Sequence, residues 1–134
     1  MDHCPTIVEL LQYKAISQSQ KIAFRFLEEG EEGETETETL TYRELDRQAR
    51  AIAIQLKSLG LKGERALLLY PSGLDYLAAF FGSLYAGVIA VPAYPPQNQR
   101  KTPRIQAIVA DAQPAIALLP LMIHPCARRE GLLM

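Results

Sequence analysis

The sequence predicts an α/β protein in which a β-hairpin and helices precede a β-α-β-α-β segment, part of a doubly wound, mainly parallel sheet. Three observations predict this class. Residues 64–96 show a strand, a helix, a strand and a proline-stiffened loop in turn. Residues 102–119 continue with a helix and a third strand, and residues 21–40 alternate as two antiparallel strands do.

The three predicted parallel strands are residues 66–70, 88–91 and 115–119, which are apolar without alternation. Strands of a parallel sheet are usually covered on both faces and show this composition. Between the first two, residues 74–86 are apolar on nearly every side, so we expect a largely buried helix. Gly87 stands where a left-handed helix cap is needed before the next strand.

The first helix and the hairpin precede this segment. Thr6 and Glu9 have capping-box spacing and predict a helix to about residue 17. Residues 21–27 predict a half-buried strand, and residues 35–40 its exposed antiparallel partner. The side chains expected to face inward are those of Ile7, Leu10 and Leu11 in the helix and of Ile22, Phe24 and Phe26 in the strand.

Two further helices complete the pattern. Thr41 and Glu44 form a second capping box, and Gly60 ends the amphipathic run that follows. A last helix should begin near Thr102, with Pro103 in its first turn. The predicted inward residues are Leu45, Ala49, Ile52, Ala53, Leu56 and Leu59 in the first of these helices, and Ile105, Ile108 and Val109 in the second.

Composition limits the classes of function. The chain has 134 residues and a net charge of −1, which argues against a dedicated nucleic-acid binder. Residues 1–40 carry 9 acidic and 3 basic side chains, and 7 of the acids lie between Glu28 and Glu38. We interpret these as a solvated hairpin tip, because none is paired with a His or Cys at ligand spacing.

The cysteines are Cys4 and Cys126, and no CxxC motif is present. A reduced, cytoplasmic protein without a signal peptide is the expectation. His3 and His124 lie near these cysteines, so a metal site across the termini is an alternative. A second alternative is a membrane helix, because the 19 residues 76–94 carry no charge. The breakers Gly87 and Pro92 favour the soluble interpretation.

Catalytic motifs are absent from the sequence. No GxSxG, HExxH or GxGxxG occurs, and no Lys-Ser or Lys-Thr follows Gly87, so Gly82 and Gly87 are interpreted as packing and capping residues. The candidate for a ligand contact is Tyr94, in the loop 93–96 at the carboxyl end of the second parallel strand, where open α/β sheets bind ligands. Packing of this loop against a neighbouring domain is the interpretation that we favour over a ligand contact, because such loops outnumber binding loops in any one sheet.

Residues 41–96, TYRELDRQARAIAIQLKSLGLKGERALLLYPSGLDYLAAFFGSLYAGVIAVPAYPP, resemble the N-terminal part of adenylate-forming enzymes. The portion GLDYLAAFFGSLYAGVIAVPAYPP is most similar to fatty acyl-AMP ligases, with AYPP as the telling feature, and VADAQPAIALL continues the likeness. The resemblance covers about residues 5–119.

The resemblance implies a ligase that uses ATP and magnesium to convert a fatty acid to an acyl-adenylate. It further implies transfer of the acyl group to an acyl carrier protein of a polyketide or peptide synthase. The family holds phosphate with a Ser/Thr/Gly-rich loop that ends in Lys, and no such loop is present. No catalytic, cofactor-binding or metal-binding residue can therefore be assigned to this chain.

The expected organisation is a partial N-terminal subdomain over residues 1–119 and an atypical tail over residues 120–134. We hypothesise that the tail arose by a frameshift or premature stop, and that the chain alone is inactive. The alternative is a non-catalytic binding or interaction module derived from the same fold. An uncovered edge at the third parallel strand predicts self-association.

Overall fold

The computed structural model describes residues 5–96, 98–120 and 131–133. In these residues four α-helices and six strands follow one another, with a short 3-10 turn (Gln99–Lys101) before the last helix. The order is α1 (Ile7–Ser17), β1 (Ile22–Gly30), β2 (Gly33–Thr41), α2 (Tyr42–Ser58), β3 (Arg65–Leu69), α3 (Leu74–Tyr85), β4 (Ile89–Ala93), α4 (Thr102–Ala112), β5 (Ile116–Leu119) and β6 (Gly131–Leu133).

The main sheet has the strand order β4-β3-β5-β6. Strand β3 is parallel to both β4 and β5, and Leu67 is the register partner of Val91 on one side and of Ala117 on the other. The chain therefore crosses from β3 to β4 and then returns past β3 to β5. This reversal is the partial doubly wound topology that the sequence predicts.

Strand β6 corrects one prediction. It pairs antiparallel with β5, with Leu118 opposite Leu132, so the third parallel strand does not leave an open edge. In the described sheet β4 is an edge strand. It contains Pro92, which has no backbone N–H, and edge strands are where a sheet tolerates proline.

The hairpin of β1 and β2 forms as predicted, but two of its three predicted inward residues are exposed. The register jumps between Ile22 and Phe24, which leaves Ala23 without a cross-strand partner. Ala23 packs against the core at this bulge, next to Ile22 in the chain. Phe26 packs there too, as the sequence predicts. Ile22 and Phe24 are exposed.

The helix caps follow the sequence closely. The Thr41 hydroxyl accepts the Glu44 N–H at 3.1 Å, and the Glu44 carboxylate accepts the Thr41 N–H at 3.0 Å, so this capping box is complete. At α1 the Thr6 hydroxyl accepts the Glu9 N–H at 3.1 Å. Gly87 has φ +71° and directs the chain from α3 into β4.

Helices α2 and α3 pack together over one face of the sheet. The cluster that joins them to the strands consists of Ala53, Leu56, Ala66, Leu68, Ala79, Ala86, Val88, Ile116 and Leu118. A second cluster joins α1, α2, α3 and the base of the hairpin through Leu11, Leu40, Leu45, Ala49, Leu74 and Phe81. The core is therefore built mainly around the α2–α3 pair.

Three predicted inward residues at helix ends are exposed instead. Ile7 in the first turn of α1 is 52% exposed, Leu59 just beyond α2 is 52% exposed, and Val109 near the end of α4 is 41% exposed. Helical periodicity marks the apolar side of a helix, but the length of that side that is covered depends on the neighbouring element. In α4 no residue is fully buried.

The uncharged segment 76–94 divides into α3, a Gly87 turn and strand β4. Helix α3 is 12 residues long, and no helix in the described part of the chain is long and apolar enough to cross a bilayer. The proposed metal site of His3, Cys4, His124 and Cys126 lies outside the described residues, as does most of the tail 120–134.

Candidate ligand site at the carboxyl edge of the sheet

The carboxyl ends of β3 and β4 are neighbours, because the two strands are parallel and paired from Arg65–Ile89 to Leu69–Ala93. Each strand is followed at once by a tyrosine, Tyr70 after β3 and Tyr94 after β4. In a doubly wound sheet this edge is where ligands bind, beside the strand at which the chain reverses direction. The candidate ligand site is therefore built on these two strand ends.

Tyr94 is held by hydrogen bonds to its side chain and to its backbone. Its hydroxyl lies 2.7 Å from the Ser72 hydroxyl, which belongs to the turn between β3 and α3. Its carbonyl oxygen accepts a hydrogen bond from the Arg104 guanidinium of α4 at 2.6 Å. The loop after β4, the turn between β3 and α3, and helix α4 are therefore joined at Tyr94. Half of the Tyr94 surface is nevertheless exposed to solvent.

Pro95 and Pro96 follow Tyr94, and proline fixes the backbone φ angle and removes an N–H donor. The loop is therefore stiff as well as tethered. Sequence reasoning selected Tyr94 by its place at a strand end. It did not identify Ser72 or Arg104, whose roles depend on contacts across 22 and 10 residues.

Tyr70 is the second tyrosine of this edge, and it is half-buried. Burial, together with the nearby negative charge of Asp75, raises the pKa of Tyr70 to about 12. The phenol is therefore neutral at physiological pH and can act as a hydrogen-bond donor but not as a base. With Ser72 and Tyr94, the edge offers neutral hydroxyl groups and an aromatic surface.

A cavity of about 360 Å³ opens beside the start of α3. Its lining includes the carboxylates of Glu38, Glu44 and Asp75. These charges repel an anionic ligand such as a nucleotide phosphate or a fatty acid carboxylate. The cavity is therefore a poor site for either substrate of a carboxylate-activating reaction.

The described residues contain no group of three or more His, Cys, Asp or Glu side chains placed to hold a metal ion. The hydroxyls and single guanidinium at the carboxyl edge also do not match the oxygen-rich set that Mg²⁺ prefers. This set of residues does not fit a magnesium nucleotide.

Comparison with known proteins shows to which family the chain belongs. Residues 11–131 match the family described as AMP-binding enzyme. The chain belongs to that family. Its fold matches the N-terminal subdomain of adenylate-forming enzymes, which confirms the predicted resemblance.

A medium-chain-fatty-acid–[acyl-carrier-protein] ligase, JamA of Moorena producens, is 49% identical over 116 residues, which are 84% of this chain and 19% of that protein. The long-chain-fatty-acid–AMP ligase FadD26 of Mycobacterium tuberculosis is 35% identical, over 84% of this chain and 19% of its own length. The crystal structure of a fatty acid AMP ligase from Legionella pneumophila superposes with a TM-score of 0.79 and 41% identity, covering 87% of this chain and 20% of that one. This member of the AMP-binding enzyme family thus spans about a fifth of the length of the relatives it matches.

Proposed function

We propose that this chain forms part of the N-terminal subdomain of an ATP-dependent fatty acid ligase that makes an acyl-adenylate and transfers the acyl group to a carrier protein. The observation that supports this most directly is the superposition on the Legionella fatty acid AMP ligase, with a TM-score of 0.79 and 41% identity. JamA, at 49% identity, is a ligase that acts on an acyl carrier protein. Use of ATP follows from the AMP-binding family, and magnesium is proposed as its counterion.

We also propose that the 134 residues do not catalyse adenylation by themselves and bind ATP only weakly. Carboxylate attack on the α-phosphate requires donors and a cation that stabilise the developing phosphate charge. The sequence has no Ser/Thr/Gly-rich loop ending in Lys to supply them. The contribution of residues 5–119 is therefore to support the carboxyl edge of the sheet.

At that edge Tyr94 is the residue proposed to contact substrate. The residue is half-exposed, and its position is fixed by Ser72 and Arg104. An aromatic wall on a stiff loop suits an acyl chain or an adenine ring, which both bind through apolar surface.

The test is complementation in trans. The chain is mixed with the Legionella ligase lacking the fifth of its sequence that matches it, and ATP–pyrophosphate exchange is measured with dodecanoate. We expect exchange that needs both polypeptides and the fatty acid. Tyr94→Ala should raise the KM for dodecanoate, whereas Tyr94→Phe, which keeps the ring, should change it little.

Two results would contradict the proposal in different ways. Exchange by the 134-residue chain alone would show that it is catalytic. Stable association of the two polypeptides without any exchange would favour the alternative, a non-catalytic binding module on the same fold.

A further inference from the structure

The outward face of α2 carries three arginines and an exposed isoleucine in one row, which we call the arginine stripe. The stripe consists of Arg43, Arg47, Arg50 and Ile54, at spacings of four, three and four residues. With 3.6 residues per turn these positions lie on one side of the helix. The opposite side is the buried one, with Leu45, Ala49, Ala53 and Leu56.

Two of the three guanidinium groups in this arginine stripe have no partner among the described residues. Arg50 donates to Asp46 of the same helix at 2.9 Å. Within the part of the chain that the structure describes, no hydrogen bond or ion pair involves the side chains of Arg43 and Arg47, and both are exposed. Ile54, beside them, is 68% exposed.

Arginine is enriched in protein interfaces, and exposed Ile54 adds apolar surface beside it. The guanidinium group can bind a carboxylate through two parallel hydrogen bonds, and it is only weakly hydrated. The ligand that suits the arginine stripe is therefore an acidic protein surface.

The chain presents such a surface at its hairpin. Strands β1 and β2 form a separate two-stranded sheet that turns at Glu31 and Glu32. The exposed carboxylates on this acidic hairpin include those of Glu28, Glu29, Glu31, Glu32, Glu34 and Glu38. They repel one another, so a cationic partner would stabilise the hairpin.

Among the described residues, no ion pair joins the acidic hairpin to the arginine stripe within one molecule. The charge separation is nevertheless large, with 9 acidic and 3 basic residues over positions 1–40 and 6 acidic and 11 basic residues over positions 41–134. Two complementary surfaces that do not meet within one molecule can meet between two.

We propose that the arginine stripe of one copy binds the acidic hairpin of a second copy, head to tail. The contact joins two different surfaces, so it can continue from copy to copy instead of closing on a symmetric dimer. Because both surfaces are exposed, the attraction is screened by salt. The proposal is independent of the ligase function, since neither surface includes the carboxyl edge of the sheet.

The experiment is sedimentation velocity of the full 134-residue chain across a concentration series, at about 20 mM and about 500 mM NaCl, where the Debye length falls several-fold. Two charge-reversal variants are compared with it, Arg43→Glu/Arg47→Glu on the stripe and Glu31→Lys/Glu32→Lys/Glu34→Lys on the hairpin. Arg65→Glu/Arg100→Glu is the matched control for the stripe variant, because it makes the same change in net charge as that variant at exposed residues away from the stripe. Circular dichroism verifies that each variant is folded.

We expect the wild-type chain and the matched control to associate at low salt and to dissociate at high salt. Each reversal variant alone should remain monomeric. Mixing the two variants should restore association, because the reversed stripe then faces a reversed hairpin.

Four results would overturn the proposal: a monomeric wild-type chain at low salt, association that persists in the stripe variant, loss of association in the matched control, or failure of the mixture to associate. Association that survives high salt in every variant would indicate an apolar contact such as the edge of β4 instead.

Discussion

Gly82 of α3 lies directly against Ile52 of α2. A Cβ atom at Gly82 would stand 2.7 Å from the Cβ and Cγ2 atoms of Ile52 and 3.1 Å from the carbonyl oxygen of Ala49. The first distance is shorter than real Cβ contacts allow, and the second involves rigid backbone. The two helices can therefore lie this close together because Gly82 has no side chain. Both core clusters depend on this distance between α2 and α3.

Gly82→Ala should destabilise the protein. Although alanine is the better helix former, the added methyl group has to displace Ile52 or separate the two helices, and overpacking of this kind costs about 1–3 kcal/mol. Urea denaturation should show a lower midpoint with an unchanged slope.

Gly30→Ala is the matched control. The nearest atom to a Cβ at Gly30 is 3.7 Å away, an ordinary contact. Its free energy of unfolding should stay within about 0.5 kcal/mol of the wild-type value. Equal effects of the two substitutions would refute the packing role of Gly82.

Tyr85→Phe tests the polar link between the same two helices. The Tyr85 hydroxyl donates to the Asp46 carboxylate at 2.7 Å, and Arg50 binds the other oxygen of that carboxylate. Loss of a partly buried bond to a charged acceptor should lower the free energy of unfolding by about 1 kcal/mol. Tyr13→Phe, at an exposed tyrosine of α1, should leave the free energy unchanged, and a loss of the same size there would remove the basis for this assignment.

Stability should decline at alkaline pH. Burial raises the pKa of Tyr70 to about 12, and burial together with the hydrogen bond to Asp46 raises the pKa of Tyr85 as well. A tyrosine in an unfolded chain has a pKa of about 10, so above that pH the unfolded state loses protons that the folded state retains. The contribution to stability is complete below about pH 10 and is lost as the pH rises toward 12.

The measurement is the free energy of unfolding as a function of pH from about 8 to 12, for the wild-type chain and for Tyr70→Phe. The variant should show a shallower decline, and Tyr13→Phe should follow the wild-type curve. A Tyr70→Phe curve with the wild-type slope would mean that Tyr70 does not contribute to the pH dependence.

Arg104→Gln should loosen the loop at the carboxyl edge without unfolding the chain. The substitution removes the 2.6 Å bond to the Tyr94 carbonyl oxygen, while the proline pair remains. Hydrogen exchange at the amide of Tyr94 should become several-fold faster, because opening of the loop then breaks fewer bonds. Arg100→Gln, in the adjacent 3-10 turn, is the control, and an equal acceleration there would show a general effect of charge.

Local chemistry in the sequence was sufficient for much of the fold. The apolar runs of β3 and β5, the two threonine caps and the position of Gly87 all depend on residues close in the chain, so their patterns predicted the elements to within a few residues. The cap at Thr41 is the clearest case, since both of its bonds span three residues.

The candidate site was only partly predictable. Tyr94 could be selected because the end of a parallel strand is a recurrent ligand position. Its partner Ser72 lies 22 residues away, and the Asp46–Tyr85 bond spans 39 residues. Contacts of this length depend on how the elements dock, and no pattern in the chain specifies that.

The same distinction explains the wrong predictions. Alternation marked Ile22, Phe24 and Phe26 as inward, but of these only Phe26 packs against the core. A bulge at Ala23 places that alanine inward next to Ile22, and bulges follow from pairing with the partner strand. Periodicity placed Ile7 and Val109 on the apolar sides of their helices, where no neighbour in the described part of the chain covers them.

The sequence by itself determined the kind of each element, its approximate limits and the resemblance to adenylate-forming enzymes, because capping, periodicity and strand composition are local properties. Only the tertiary structure decided the strand order β4-β3-β5-β6, the contact of Gly82 with Ile52 and the meeting of three segments on Tyr94. These features arise when elements that are distant in the chain pack together and bury their apolar surfaces. Which surfaces are buried depends on how the shapes of the packed elements fit.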